Sequence, residues 1–544
     1  MRPDSNMPIK LSFLTPLVVT VFITPLNSYD PINIPRLSSL IFLSSIFVFV
    51  LLKYNVFKNK IKYRVIFLIS GVFIAWSLIS SLLSNSTLEE AFYGATGRQT
   101  GTLAYFSFVI LMLANAISSG HKLNSSLLVT LIVVGYINGI YGVFQSLNAD
   151  PFDWINPYSP VFGLFGNPNF HASFMGIAAT VAFSLLFKQH DQTKLRLIYS
   201  FFIPLALLNI YESKSQQGFL VMLVGISVAL FLWLRSSNYK RFKFIYIIIW
   251  LIGAIAVILD ILQKTPWKSI LYKESVSYRG DFWRAGWQMT VDNPIFGVGL
   301  DGYRDNFRFY RDQVATDRNP NAMVDSAHNV FIDISSAGGF PLLIAYIAIL
   351  LLVLISAVKV IKRSNAFDPI FAGILGSWIA YLAQSLISIN QIALAVWGWA
   401  LTGAIIGYEI ITRDEKQESV LNDKTIGWLG VSSGIVIGVA IALPLFISDS
   451  QFRSTVKSGG VIQIQQSVEK WPQSVIRMTL AAKILREGGF ADQAFEISTK
   501  ATNLFPNNFE AWQELYANPN AGEKLKLEAL QKMKKLDPLN PNLG

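Results

Sequence analysis

The residue types that do chemistry concentrate in one polar interval, Ser277 to Gly339. It opens with Ser277-Tyr-Arg-Gly-Asp-Phe-Trp-Arg, passes through Ser326-Ala-His-Asn-Val-Phe-Ile-Asp and closes on Gly338-Gly339. His328 is one of four histidines in the chain and stands between Asp325 and Asp333. An imidazole can accept a proton near neutral pH, and a neighbouring carboxylate can steady the charge it gains. Arg279 and Arg284 flank Trp283. A guanidinium fork donates two parallel, charge-assisted hydrogen bonds, the geometry that suits a phosphate. The same run also reads as an interfacial amphipathic helix anchored by Phe282, Trp283 and Trp287, which would bring Arg279 to the level of lipid headgroups.

Other polar groups arrive from earlier connections. Arg98 lies in Gly94-Ala-Thr-Gly97-Arg98-Gln-Thr-Gly101, and Lys214 in Glu212-Ser-Lys-Ser-Gln-Gln-Gly218. Either can snorkel to lipid headgroups or serve a ligand. Gly163-Leu-Phe-Gly166-Asn167-Pro168-Asn169-Phe170-His171 is a turn followed by a helix start. Asn167 and Asn169 either cap that helix or aim amides at an anionic or sugar ligand. His171 reads as a cap residue more than a site residue. No cysteine is present, so thiol nucleophiles, disulfides and thiolate metal sites are excluded. The histidines and carboxylates lack metal-ligand spacing, and there is no Gly-Lys-Ser/Thr phosphate loop and no Gly-x-Ser-x-Gly elbow. The expectation is chemistry without metal or cofactor.

These side chains must be positioned by membrane helices. Only 15% of the 544 residues are charged and 52% are hydrophobic, where a soluble protein has about a quarter charged. Thirteen apolar spans follow, at about 10–27, 36–53, 64–84, 102–120, 124–147, 169–188, 195–211, 215–235, 243–262, 336–359, 366–389, 393–412 and 425–448. The fold class is all-α and polytopic. The net charge of +11 is scattered between spans, as expected of loops on the cytoplasmic side and not of one nucleic-acid-binding face. Connections holding Lys53, Lys58, Lys122, Lys188, Arg235, Lys359, Arg363, Arg413, Lys416 and Lys424 alternate with poorly basic ones. The N-terminus is therefore expected in the cytoplasm. His121 and His190 fall on the cytoplasmic side too, while the 263–335 loop and residues 449–544 lie outside.

The chain divides into spans one to nine (1–262), the large external loop (263–335), spans ten to thirteen (336–448) and a C-terminal part (449–544). That last part loses the apolar runs. Trp471-Pro472 and Phe505-Pro506 share a phase, their prolines 34 residues apart, with Leu536-Asp-Pro538 as a possible degenerate last unit. This is the period of a tetratricopeptide-like stack of paired helices. It reads either as a plain helical cap or as a docking platform for a protein or glycan.

Together, Arg279-x-x-x-Trp283, Asn293-Pro294-Ile-Phe-Gly297-Val-Gly299, Ala327-His328-Asn329-x-Phe331-Ile-Asp333 and Gly338-Gly339 resemble the signature of the O-antigen ligase/polymerase superfamily. That group includes O-antigen ligases, polysaccharide polymerases and protein O-oligosaccharyltransferases. The segments around Arg98 and Gly166-Asn-Pro-Asn resemble its tetratricopeptide-bearing branch. The resemblance implies a metal-independent enzyme on the outer face of a bacterial inner or plasma membrane, moving a glycan from undecaprenyl pyrophosphate to an acceptor hydroxyl. It implies His328 as the essential histidine and Arg279 as the pyrophosphate ligand. Arg98, Arg284, Lys214, Asn167, Asn169 and Asp325 are expected to bind substrate. Where the family often has Ser-Arg-Gly, this chain has Ser213-Lys214-Ser215, and lysine offers a point charge in place of a fork. The acceptor can be a glycan, a lipid-linked sugar or a Ser/Thr of a protein. The competing class is a transporter or lipid flippase, which would show intramembrane charges or internal repeats; the charges here lie near span ends.

Overall fold

Each predicted apolar span falls on one helix of the computed structural model. It describes residues 7–53, 60–84, 86–154, 161–188, 193–237, 240–261, 264, 274–413 and 428–544. Lys58, Lys416 and Lys424, and the start of the large loop at 265–273, lie outside the described residues. Every regular element in the described residues is helical. The first ten are α1 (Met7–Val21), α2 (Asn33–Lys53), α3 (Lys60–Leu83), α4 (Leu88–Tyr93), α5 (Thr102–Ser118), α6 (His121–Ser146), α7 (Pro168–Leu185), α8 (Thr193–Glu212), α9 (Gln216–Ser236) and α10 (Lys243–Ile261). Then come α11 (Glu274–Asp292), α12 (Tyr303–Tyr310), α13 (Gln313–Arg318), α14 (Val330–Arg363), α15 (Pro369–Ser385), α16 (Ile392–Arg413) and α17 (Trp428–Ser458). The chain closes with α18 (Val461–Val468), α19 (Val475–Glu487), α20 (Ala491–Leu504), α21 (Phe509–Ala517) and α22 (Glu523–Leu536).

Among the described residues eight helices are long and apolar enough to cross a membrane, and α1, α5 and α10 are shorter apolar helices. Helices α5, α7, α15 and α16 form the centre, packed against one another and ringed by the rest. Without a hydrophobic drive between helices in lipid, close packing of small residues holds such a bundle. Gly403 and Gly407 show this: a methyl at Gly403 would stand 2.1 Å from the Met112 carbonyl oxygen of α5. Helix α10 leaves most of its apolar surface exposed and packs against α9.

The described part of the large loop contains three helices, α11, α12 and α13. Its end differs from the apolarity reading, because α14 starts at Val330 and not at 336. Asn329 caps it, its side chain accepting from the Phe331 and Ile332 N–H groups, and the first turns carry Asp333, Ser335 and Ser336, which dilute the hydropathy. The helix then breaks at Gly338 and Gly339 (φ +67°), with Pro341 following. A break at membrane depth exposes backbone groups that must be satisfied by protein. Val298 and Gly299 N–H donate to the Ser336 and Ala337 carbonyls at 2.8 and 3.0 Å, and Phe340 N–H donates to Pro294 at 2.8 Å. Trp76 Nε1 donates to Gly338 at 2.9 Å, and Ser80 Oγ to Ala337 at 2.7 Å. The Pro294-to-Gly299 segment is thus a backbone patch laid over the kink. A methyl at Gly339 would meet the Pro294 and Ile295 carbonyl oxygens at 2.5 Å on top of the left-handed φ. Gly339→Ala is expected to lower the thermal midpoint of the purified protein, since the φ alone costs about 1–2 kcal/mol. Gly71→Ala, inside α3 with open space around it, should hold the midpoint or raise it in the same melt, because alanine favours a helix interior over glycine.

Helix α17 runs on to Ser458, past the predicted boundary at 448. Beyond it α19 packs on α20, α20 on α21 and α21 on α22. Their apolar faces close around Met478, Ala481, Leu485 and Ala494 and, further on, Trp512, Leu515 and Met533.

Candidate active site

His328 occupies the turn before α14 in a left-handed conformation, φ +54°, an uncommon state for a residue with a Cβ. The surrounding contacts over-determine it. Ala327 N–H donates to Asp333 Oδ1 at 2.7 Å, Ser326 Oγ lies 3.1 Å from His328 Nδ1, and Asn329 Nδ2 donates to Leu386 at 2.9 Å. The Phe282 ring of α11 stands 5.5 Å from the imidazole. Burial holds the His328 pKa below the usual histidine range; Asp325 opposes this, and Arg98 and Arg279 add to it. Burial thus favours the neutral imidazole, the form able to accept a proton.

Arg98 reaches the same place from far away in sequence. Its side chain is 6% exposed, with Nη1 3.7 Å from Asp325 and Nη2 3.9 Å from Asp333. Burial works against its charge, but Asp325, Asp333 and Asp301 outweigh it and raise its pKa. Asp301 builds the loop that delivers it. Its carboxylate accepts from Ala95 N–H at 3.1 Å, from Thr100 N–H at 2.8 Å and from the Thr100 hydroxyl. The Gly94-to-Gly101 loop wraps so closely that a methyl at Gly94 (φ +86°) would lie 2.3 Å from Asp301 Oδ2. Burial raises the Asp301 pKa while Arg98 and Thr100 pull it back. A cavity of about 20 Å³ opens between Arg98, Tyr105, Asp301, Tyr303, Asp325 and Asp333. Arg98 Nη1 and Asp333 Oδ2 are buried with no hydrogen-bond partner.

Arg279 lies on α11 three residues before Phe282, hence on the face turned towards His328. It is half-buried, and burial lowers its pKa, although a guanidinium stays charged. Among the described residues it has no ion pair. Its neighbours are otherwise engaged: Asp281 pairs with Arg318 and with Arg284 at 2.7 Å.

The other expected ligands are distributed differently. Asp325 joins the site. Arg284 is half exposed and holds Asp312 at 2.6 Å, bracing α11 against α13; it is about 200° round the helix from Phe282. Asn167 caps α7 by accepting from Asn169 N–H at 2.8 Å, and Asn169 Oδ1 accepts from Ser215 Oγ at 2.7 Å. Neither makes a hydrogen bond to Arg98, Asp325 or His328 among the described residues. Lys214 is exposed in that same α8–α9 turn, with φ +55°. The first turn of α2 links the two groups. Asn33 Nδ2 donates to Gly97 at 2.9 Å, and the fully buried Arg36 donates to Leu164 at 2.6 Å. His171 lies under the turn, its Nδ1 2.8 Å from Asn138 Nδ2 and its Nε2 3.0 Å from Asn209 Oδ1, a hub between α6, α7 and α8 and not a cap. Phe282 and Trp283 turn inward against Tyr303 and Phe307, and Trp287 is exposed beside Phe340, 6.0 Å away. Among the described residues no three His, Asp or Glu side chains are grouped to hold a metal ion.

Sequence reasoning missed Asp301, Tyr105, Tyr303 and Arg36. The signal for Asp301 was local: Gly299-Leu-Asp301-Gly302 is a turn, and Asp301 adopts φ +56° within it.

A search of curated proteins returns no match. The family model described as O-antigen ligase matches residues 201–347, a stretch that carries Lys214, Arg279, Asp301 and His328. Over residues 201–347 the chain is similar to the O-antigen ligase family, which with its apolar helices supports a multi-pass membrane enzyme of the O-antigen ligase/polymerase type.

Proposed function

We propose that the protein transfers a glycan from an undecaprenyl-pyrophosphate carrier to an acceptor hydroxyl on the outer face of a bacterial inner or plasma membrane. The observation that carries this reading is a pair: Arg279, a half-buried cation with no carboxylate partner among the described residues, and His328, half-buried within its electrostatic reach, with its pKa lowered by burial. A pyrophosphate anion supplies the charge that Arg279 lacks, and its fork neutralises the leaving group as charge develops there. His328 removes the acceptor proton. The acceptor oxygen attacks the anomeric carbon from the face opposite the carrier. The C1–O bond to the acceptor forms, the C1–O bond to the pyrophosphate breaks, and the anomeric configuration inverts. Asp325 steadies the imidazolium, and Arg98 is held at hand by Asp325 and Asp333. The pyrophosphate link already drives transfer, so the reaction calls for no metal or nucleotide. In this topology the N-terminus is cytoplasmic, and α11–α13 and the C-terminal helices lie outside.

Purified protein in vesicles, given a lipid-pyrophosphate glycan and a hydroxyl acceptor, is expected to yield a covalent product and free carrier pyrophosphate by mass analysis. Movement of the carrier between leaflets without any covalent product would replace this reading by transport.

A further inference from the structure

The C-terminal helices are built onto the candidate site through α12. The turn that leads into this helix holds Asp301, which grips the Arg98 loop, and its first residue, Tyr303, donates from its hydroxyl to the Phe282 carbonyl at 2.6 Å. At its other end are Arg308 and Arg311. Arg311 is wholly buried and reaches both oxygens of the equally buried Asp537, at 2.7 and 2.8 Å. Its remaining nitrogen donates to Asn319 at 3.2 Å. Arg308 reaches the same carboxylate at 3.1 Å and Glu510 at 3.4 Å, with its guanidinium 4.2 Å from the Phe509 ring. Between them Asn508 donates to Asp305 at 2.8 Å. A second brace reaches the Arg98 loop directly, where the Thr96 and Ser474 hydroxyls lie 2.7 Å apart and Trp471 packs edge-on to Tyr93 at 5.4 Å.

Two arginines share one carboxylate in a buried interface. Removing that carboxylate leaves Arg308 with Glu510 alone and Arg311 with backbone carbonyls alone, a buried cation that cannot deprotonate, and α12 must shift to rehydrate it. Helix α12 spans only about 12 Å, so a shift at Arg308 moves Asp301 at the other end.

We propose that Asp537 is a positioning residue for the glycan-transfer site: through Arg308, Arg311 and α12 it fixes Asp301, and through Asp301 the place of Arg98 beside His328. This rests on the function proposed above. The C-terminal helices then form a wall of the site, in addition to any docking they perform.

The test is the pH dependence of transfer by the full-length protein in vesicles. The wild type should show an acidic limb in kcat/KM that disappears in His328→Asn; without that limb the proposed function fails and the role given to Asp537 is overturned with it. With the limb in hand, Asp537→Asn is expected to lower kcat/KM by about tenfold or more. Its limb should also move to higher pH, because Arg98, which depresses the His328 pKa, has withdrawn. Partial unfolding alone would reduce the amplitude and leave the limb in place, and that result overturns the proposal. Arg311→Lys keeps the charge but gives up the fork, so it should move the limb in the same direction by less. It serves if Asp537→Asn does not fold, and an unmoved limb there is equally decisive. Lys500→Ala, which removes an exposed pair with Glu469 on the same domain, should match the wild type in rate and limb.

Discussion

His328→Asn is expected to reduce glycan transfer by about 10²- to 10⁴-fold, the usual contribution of a positioned general base. Asparagine is the informative replacement because it tolerates the left-handed φ of +54° that this position requires, whereas alanine would add backbone strain to the loss of the base. The variant should therefore insert and melt like the wild type, and the rate loss then reports chemistry. Wild-type rates with His328→Asn would remove the base assignment. The sign of the pH dependence follows from the shift. Burial holds the folded-state imidazole below its unfolded value, so the folded protein resists protonation. Activity should be full above the ordinary histidine range and fall on acidification. Any stability His328 contributes is likewise present above the unfolded pKa and lost as pH drops.

Arg279→Ala is expected to cost about 10²- to 10³-fold in transfer, the magnitude seen when a preorganised charge at a leaving group is removed. Arg279→Lys should recover only part of it, because an ammonium cannot donate two parallel bonds to pyrophosphate. If the residue acts on the leaving group, the loss appears mainly in kcat. Loss confined to the donor KM would assign it to ground-state binding alone. Arg284→Ala is the counterpart control: its partners Asp281 and Asp312 are protein groups, so it should loosen the α11–α13 contact and spare kcat by comparison. An equal kcat loss in both would return the pyrophosphate assignment to the arginine cluster as a whole.

The helices were legible because an apolar run of about twenty residues has few other uses, and each predicted span falls on one helix. The start of α14 was not, because Asn329 caps a turn whose polar side chains face protein. The short helices of the loop were hidden for the same reason: α12 and α13 bury aromatic and charged groups against neighbours and carry no apolar run. At the candidate site, the closeness of His328 and Asp325 could be read from their spacing in the sequence. The hold of Asp301 on Ala95 spans 206 residues, and no local pattern announces which distant loop a turn carboxylate will grip. Arg284 was expected to bind substrate, and its ion pairs with Asp281 and Asp312, partners that residue type could not announce, engage it with protein. Leu536-Asp-Pro538 offered only a possible degenerate repeat unit, while the burial of Asp537 depends on two arginines from another part of the chain.

The grip of Asp537 on α12 also has a meaning for biosynthesis. Residues 98, 279, 301 and 328 leave the ribosome long before residue 537. The helices that bear them can insert while the last carboxylate of the assembly is still unmade. A nascent chain would hold its arginines and its histidine in the membrane with α12 unsecured, and the order of translation itself would keep a half-made enzyme from acting on carrier-linked glycan.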